Sequence, residues 1–217
     1  QKAFKPLEPY YKAVTFWRGV SIAPNGKSVN ITTDDGRAFL FQEMDDEWRK
    51  TWQTDLTTPI LVNQMPITAT AGTVLATDKL SLFVTGDTFI PYHLQTGISR
   101  PPVSHPSGMT LFAYQWNGQL AWQWELGNMP QGIRIENKYI VVASSDYGEA
   151  RASETKPNAL TVFDLQKIGT VVDKHAFTYR LSGQIPYGQI DISDQWIVCV
   201  EATLRSANKV VGKNQIH

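Results

Sequence analysis

The chain has 217 residues, of which 42% are apolar, 11% aromatic and 18% charged. This length suits one substantial domain or two small ones, and the composition excludes a disordered or fibrous protein. Basic and acidic residues balance at 20 each, which argues against a nucleic-acid-binding protein. No apolar run reaches the ~20 residues of a membrane span, and the single cysteine, Cys199, excludes an internal disulfide framework.

One pattern occurs four times along the chain: a glycine, a short alternating strand, and a turn at Asn or Asp. The copies begin at Gly19, Gly72, Gly132 and Gly188, roughly 56 residues apart. A second apolar strand follows each turn. These second strands are predicted at residues 28–33, 80–85, 139–144 and 196–201.

Two further strands complete the repeat. Third strands are predicted at 38–41, 110–114 and 160–163. The clearest fourth strand follows Asn117-Gly118, a dipeptide typical of tight hairpin turns, and a weaker counterpart lies at 48–52. Four antiparallel strands per repeat predict an all-β fold, a β-propeller of about four four-stranded blades that forms a single domain over residues 1–217.

The repeat motifs resemble those of known propellers. The run Ser21-Ile-Ala-Pro-Asn-Gly26-Lys27, continued by residues 33–41, resembles the first three strands of a WD40-type blade. The segments that end in Gly118-Gln-Leu-Ala-Trp122 and at 165–170 resemble the blade ends of quinoprotein-like (PQQ-type) repeats. The resemblance covers most of residues 14–203 and implies a WD40-like or quinoprotein-like β-propeller.

Two insertions, at 86–107 and 145–158, interrupt the connection between the second and third strands of consecutive blades. An alternative interpretation is that two irregular blades are compressed into 66–127. With insertions, we expect both segments on one face of the propeller, beside the loops that enter each blade, where binding residues commonly lie. The candidate binding residues on this loop face are Tyr92, His93, His105, Tyr147, Arg151 and Tyr187.

The fourth copy is incomplete, because it reaches a possible third strand at 209–211 and no fourth. Residues 11–16 could supply the missing strand and close a ring. The alternatives are that the chain is about half of a larger propeller, or that a partner completes its edge. Because the chain starts at Gln1 without a methionine, we expect it to be a piece of a longer protein.

The sequence carries no recognisable catalytic or metal-binding motif, so we predict no catalytic residue, no metal and no cofactor. The four histidines lack the spacing of metal ligands, and Asp45-Asp46-Glu47 lacks the pattern of a calcium loop. Cys199 lies in an apolar strand and is predicted to be buried. The tryptophans in or beside repeated strands are predicted to pack between blades: Trp48, Trp52, Trp116, Trp122, Trp124 and Trp196.

By analogy of fold, we expect a non-catalytic scaffold that mediates protein–protein interaction within a larger assembly. Its partners would be other proteins or further blades. The alternative is a quinoprotein-like or hydrolase-type enzyme with a site in the central funnel, where the inner strands offer the charged residues Arg134, Glu136 and Asp191. A structural role in an envelope or filament assembly is a third possibility. The blade style favours an extracytoplasmic or cell-envelope location, with the cytoplasm as the alternative.

Overall fold

The structure is a computed structural model that describes residues 17–89, 104–145, 158–166, 176–206 and 209–217. Within these ranges every named element is a β-strand. No helix in the described part of the chain has the length and apolarity needed to cross a bilayer. The chain divides into two compact units, Gln1–Leu120 and Ala121–His217.

The first sheet is an antiparallel meander with the strand order β1-β2-β3-β4. The turn between its last two strands is formed by Asp45 and Asp46, which both have positive φ. Such a turn matches the twist of a two-stranded hairpin, and Asp tolerates this backbone region better than most residues. The strands are β1 (Trp17–Ile22), β2 (Ser28–Thr33), β3 (Arg37–Met44) and β4 (Glu47–Asp55).

The second sheet has five strands in the order β5-β6-β7-β8-β9. The predicted turn at Gly118 is present, with φ of 84° and a hydrogen bond from its N–H to the carbonyl of Gln115. One strand was not predicted: β5 joins the sheet through a turn at Asn63 and Gln64. The strands are β5 (Ile60–Val62), β6 (Met65–Ala76), β7 (Leu80–Phe89), β8 (Thr110–Gln115) and β9 (Leu120–Glu125).

The third sheet is again an antiparallel meander, with the order β10-β11-β12-β13. The sequence resemblance placed the end of this blade at 165–170, but the fourth strand begins only at Ala176, and residues 167–175 lie outside the described residues. The strands are β10 (Pro130–Glu136), β11 (Tyr139–Ser144), β12 (Asn158–Asp164) and β13 (Ala176–Leu181).

The fourth sheet has the order β14-β15-β18, and β16 and β17 form a separate hairpin. The prediction of a third strand at 209–211 was therefore wrong: these residues pair with β16, and β18 takes the third position. Pairing with the neighbouring strand closes a much shorter loop, which costs less entropy. The strands are β14 (Ile190–Ile192), β15 (Ile197–Glu201), β16 (Leu204–Ser206), β17 (Lys209–Val211) and β18 (Gln215–Ile216).

Consecutive antiparallel sheets whose strand order follows the chain make an all-β, propeller-like architecture. The predicted fold class is thereby confirmed. Three of the repeat glycines, Gly19, Gly72 and Gly132, lie in β1, β6 and β10, and Gly188 lies just before β14. The segment 11–16 that was predicted to supply a closing strand lies outside the described residues.

In the first unit, the first two sheets pack through aromatic rings and a buried polar contact. The Trp52 ring meets Tyr114 edge-on, with centroids 5.0 Å apart, and lies 5.8 Å from Phe83. Ser81 Oγ donates a 2.9 Å hydrogen bond to Oδ1 of the fully buried Asn30. Asn30 begins a glycosylation-type triplet, but a buried amide in this contact is inaccessible to a glycan-transferring enzyme in the folded state.

In the second unit, the core between the third and fourth sheets contains Leu160, Ile185, Ile190 and Cys199. Cys199 is buried, as predicted. Trp122 stacks on Phe163 with centroids 5.5 Å apart, and Trp124 meets the same ring edge-on.

Two tryptophans depart from the predicted packing between blades. Trp48 is 50% exposed and Trp196 is 70% exposed. Trp48 lies near the tip of the hairpin of β3 and β4, beyond the last residue of β3 that pairs with β2. Trp196 precedes β15 in the turn that follows β14. A period-2 pattern places a side chain on a sheet face but does not show whether anything covers that face.

Candidate functional site

The His105 ring anchors the end of the first insertion. Its Nδ1 accepts a 3.0 Å hydrogen bond from the backbone N–H of Ser107, so Nε2 carries the ring proton and donates to the carbonyl of Thr58 at 2.9 Å. Burial lowers the pKa of His105, although the bond to Thr58 opposes that shift. The neutral ring therefore ties the insertion to the segment that leads into the second sheet.

The two ends of the first insertion are also joined to each other. The backbone N–H of His105 donates to Thr88 Oγ1 at 3.2 Å. Thr85 Oγ1 donates to the carbonyl of Ser107 at 2.5 Å and accepts a 3.0 Å bond from the N–H of Thr110. These hydrogen bonds hold the two ends of the insertion together at its base.

In the first sheet, a tight turn replaces the insertion and is held by a buried ion pair. Arg37 binds Asp35 through two atoms, at 2.8 Å from Nη2 and 3.0 Å from Nε. Both side chains are at most 2% exposed. Burial raises the pKa of the neighbouring Asp55 carboxyl, and Arg37 opposes the shift. A two-point pair of this kind fixes the orientation of the two side chains across the turn.

Ser145 anchors the second insertion in the second unit. Its N–H donates to the carbonyl of Met129 at 2.8 Å, and its carbonyl accepts a 2.9 Å bond from Gln131 Nε2. Its hydroxyl donates to Asn158 Oδ1 at 3.0 Å and accepts from the N–H of Ile185 at 2.9 Å. Both ends of the insertion are thus joined, and they are tied to the two neighbouring loops.

Two of the six predicted binding residues, His105 and Tyr187, are described by the structure. His105 is buried at the base of the first insertion. Tyr187 is 71% exposed in the loop before β14, in the other compact unit. Their binding role stays a prediction. The other four candidates lie outside the described residues: Tyr92, His93, Tyr147 and Arg151.

An open pocket of about 330 Å³ lies in the second unit, along β10, β14 and β15. Its charged residues are Arg134 and Asp191, two of the three charges that were predicted for the inner strands. Arg134 Nη1 donates to the carbonyl of Ile133 at 2.9 Å. Within the described ranges, no group of three or more His, Cys, Asp or Glu side chains is placed to hold a metal ion.

A buried carboxylate holds β18 in the fourth sheet. Glu201 is 1% exposed and accepts hydrogen bonds from Ser182 Oγ at 2.7 Å, His217 Nε2 at 2.6 Å, Gln215 Nε2 at 3.0 Å and the N–H of Gly183. Burial alone would raise the pKa of this carboxyl, but these bonds lower it to about 2. Sequence reasoning missed this cluster, because its members are far apart in the chain and form no motif.

Three strands present exposed apolar residues in pairs. Residues two apart in a strand point to the same face of the sheet, so each pair marks a face that is uncovered at that point. Sequence reasoning missed these surfaces too, since exposed and covered apolar strands have the same alternation. The pairs are Val20 and Ile22 on β1, Phe177 and Tyr179 on β13, and Val198 on β15 with Trp196, which directly precedes that strand.

No family model matches the chain. No curated protein is significantly similar to it in sequence. Among solved structures, the computationally designed Ika4 protein is similar over 95% of this chain and 94% of its own, with 9% identity and a TM-score of 0.51. At that identity, the similarity shows a shared fold alone.

Two larger proteins are also similar in structure. BamB from Moraxella catarrhalis is 13% identical, with a TM-score of 0.49, and the match covers 84% of this chain and 42% of BamB. KlHsv2 with loop 6CD replaced by a Gly-Ser linker is 9% identical, with a TM-score of 0.45, and the match covers 86% of this chain and 45% of that protein. The chain therefore spans less than half the length of either protein.

Proposed function

We propose that the chain is a non-catalytic, propeller-type scaffold that binds other proteins within a larger assembly. The observation that carries the proposal is the uncovered sheet face on β1, where Val20 is 68% exposed and Ile22 is 62% exposed, together with its counterpart at Trp196 and Val198. Stacked sheets bury such faces, as the fully buried Phe83 in the core of the first unit illustrates. Paired apolar side chains left in water indicate a surface that another protein, or further blades, would cover.

The anchored bases of the insertions support the same function. A loop held at both ends by hydrogen bonds loses less conformational freedom on binding than a loop whose ends are free to move. In this proposal the residues between the anchors, with Tyr187, contact a protein partner, and His105 acts as an anchor. The proposal includes a single propeller domain of WD40-like or quinoprotein-like type, which rests on the repeat motifs.

Position-specific photo-cross-linking in the organism's own cells tests this function. A photoreactive phenylalanine analogue would replace Val20 or Val198 in the full chain. Two exposed polar positions, Lys79 and Gln119, serve as matched controls. We expect the apolar positions to cross-link to one defined protein and the control positions to give no such product.

The cross-linking results at Val20 and Val198 can contradict the scaffold function. If Val20 and Val198 give no product, or the same products as Lys79 and Gln119, the apolar faces are not interaction surfaces and the scaffold function is wrong. A cross-linked product should also weaken when Trp196→Asp places a charge beside Val198. Trp196 is 70% exposed, so this substitution leaves the core intact.

A further inference from the structure

Among the described strands, the last one of the fourth sheet is short and has an unpaired outer edge. β18 has two residues and pairs with β15 at Val200 and Glu201. His217 extends the pairing, with reciprocal backbone bonds to Cys199 of 3.0 and 3.1 Å. In an antiparallel pair the bonded positions alternate, so the N–H and C=O of Ile216 point away from β15. Within the described residues, no strand lies beyond β18.

An aromatic face lies beside this edge. Leu181, Tyr179 and Phe177 alternate along β13 and so share one face of the third sheet. Leu181 is buried in the core between the third and fourth sheets, whereas Tyr179 is 45% exposed and Phe177 is 64% exposed. The Tyr179 ring meets the His217 ring at 5.9 Å. The aromatic face thus continues the core to the point where β18 ends.

The unpaired edge of β18 and the aromatic face on β13 can both be covered by one extended strand. An extended chain beside β18 would pair with the outward N–H and C=O of Ile216, and its alternate side chains would cover Phe177 and Tyr179. A helix or a folded surface would cover the rings but leave the backbone edge unpaired. The continuous core specifies apolar side chains on the covered face of that strand.

We propose that an extended segment of a partner protein, apolar at alternate positions, adds as a strand to the outer edge of β18 and packs on Phe177 and Tyr179. The proposal rests on the proposed scaffold function and names the chemistry of one partner. The Glu201 cluster holds Gln215 and His217 in place before binding, so β18 is a preorganised template.

A model peptide tests the edge directly with the full chain. The probe is a capped peptide of about ten residues in which Val alternates with Lys and Thr. Its control has the same composition with the valines grouped at one end, which removes the one-sided apolar face. We expect saturable binding of the alternating peptide and about tenfold weaker binding of the control. Amide exchange at Ile216 should slow about tenfold in the complex.

Matched variants locate the bound peptide. Phe177→Glu and Tyr179→Glu each change an exposed ring, so the fold persists, and each should weaken peptide binding about tenfold. Trp48→Glu changes a ring of intermediate exposure between those two, in the first unit, and should have no effect. Equal affinity for both peptides, or no difference among the variants, would overturn the proposal.

Hydrogen exchange of the free chain identifies other occupants. Slow exchange at Ile216 without peptide, independent of protein concentration, would mean that a segment of this chain already pairs with β18. Slow exchange that increases with concentration would mean that a second copy does so. Either result overturns the proposal of a separate partner. The cross-links at Val20 and Val198 do not involve this edge, so the two proposals can fail independently.

Discussion

The Nε2 atom of His217 lies 2.6 Å from Oε2 of Glu201, whose side chain is 1% exposed. The same carboxylate binds Ser182 and Gly183, which directly follow β13, and Gln215, which begins β18. One side chain therefore joins the end of the third sheet to the outermost strand of the fourth. A buried carboxylate is tolerated here because several donors replace its lost hydration.

Glu201→Gln should destabilise the second unit. The neutral amide has one acceptor oxygen in place of two and loses the charge-assisted part of each bond, which predicts a loss of about 2 kcal/mol in the free energy of unfolding. Denaturant unfolding followed by tryptophan fluorescence measures this loss. Asp194→Asn, at an exposed turn position, is the control and should change stability by less than about 0.5 kcal/mol. Equal effects of the two substitutions would contradict the role of Glu201.

The Glu201 cluster also predicts a pH dependence in acid. The pKa of Glu201 is about 2 in the folded chain, below the ordinary value of 4.5. Because folding lowers this pKa, the ionised Glu201 side chain stabilises the fold fully above pH 4.5. That stabilisation is lost as the pH falls from 4.5 towards 2. The difference in unfolding free energy between the wild type and Glu201→Gln should shrink over this range. A difference that stays constant down to pH 2 would contradict the assignment.

His105→Ala should destabilise the first unit by about 2 kcal/mol, because it leaves the N–H of Ser107 and the carbonyl of Thr58 without their ring partners. Since burial lowers the pKa of His105 from 6.5, its contribution is complete above pH 6.5 and decreases as the pH falls below that value. Thermal unfolding between about pH 5 and pH 7 measures both effects. Lys79→Ala, at an exposed position, is the control. A variant as stable as this control would show that the ring is not an anchor.

A matched pair of glycines separates backbone strain from steric conflict. Gly36 has φ of 84°, and a Cβ there would collide with Thr57 Oγ1 and lie 2.9 Å from the carbonyl oxygen of Ala69. Gly26 has φ of 72°, and a Cβ there would have no heavy atom within 4 Å. Gly26→Ala should cost about 1 kcal/mol from the left-handed backbone alone, and Gly36→Ala at least about 3 kcal/mol. Similar losses in the two variants, measured by denaturant unfolding, would show that the turn at Gly36 adjusts freely.

The candidate surfaces were less predictable than the strands. His105 was singled out as a loop histidine, but the distant carbonyl of Thr58 makes it an anchor. Ser145, at the start of the second insertion, was not identified as an anchor, since its partners Gln131 and Ile185 are set by tertiary packing. A hydrogen bond between distant segments leaves no local sequence pattern, so chemistry of this kind cannot be derived from spacing.

By itself, the sequence determined most of the strands in the first three sheets and the propeller-like class of the fold, but not β5, β13 or the order of the fourth sheet. Alternating apolar residues, repeat glycines and the hairpin turn at Asn117-Gly118 are local signals, and local sterics are enough to make them specific. Tertiary structure alone decided the pairing of 209–211 with β16, the burial of Glu201 and the exposure of Phe177. These depend on which segments meet across the sheets, and period-2 alternation is the same whether a face is covered or open.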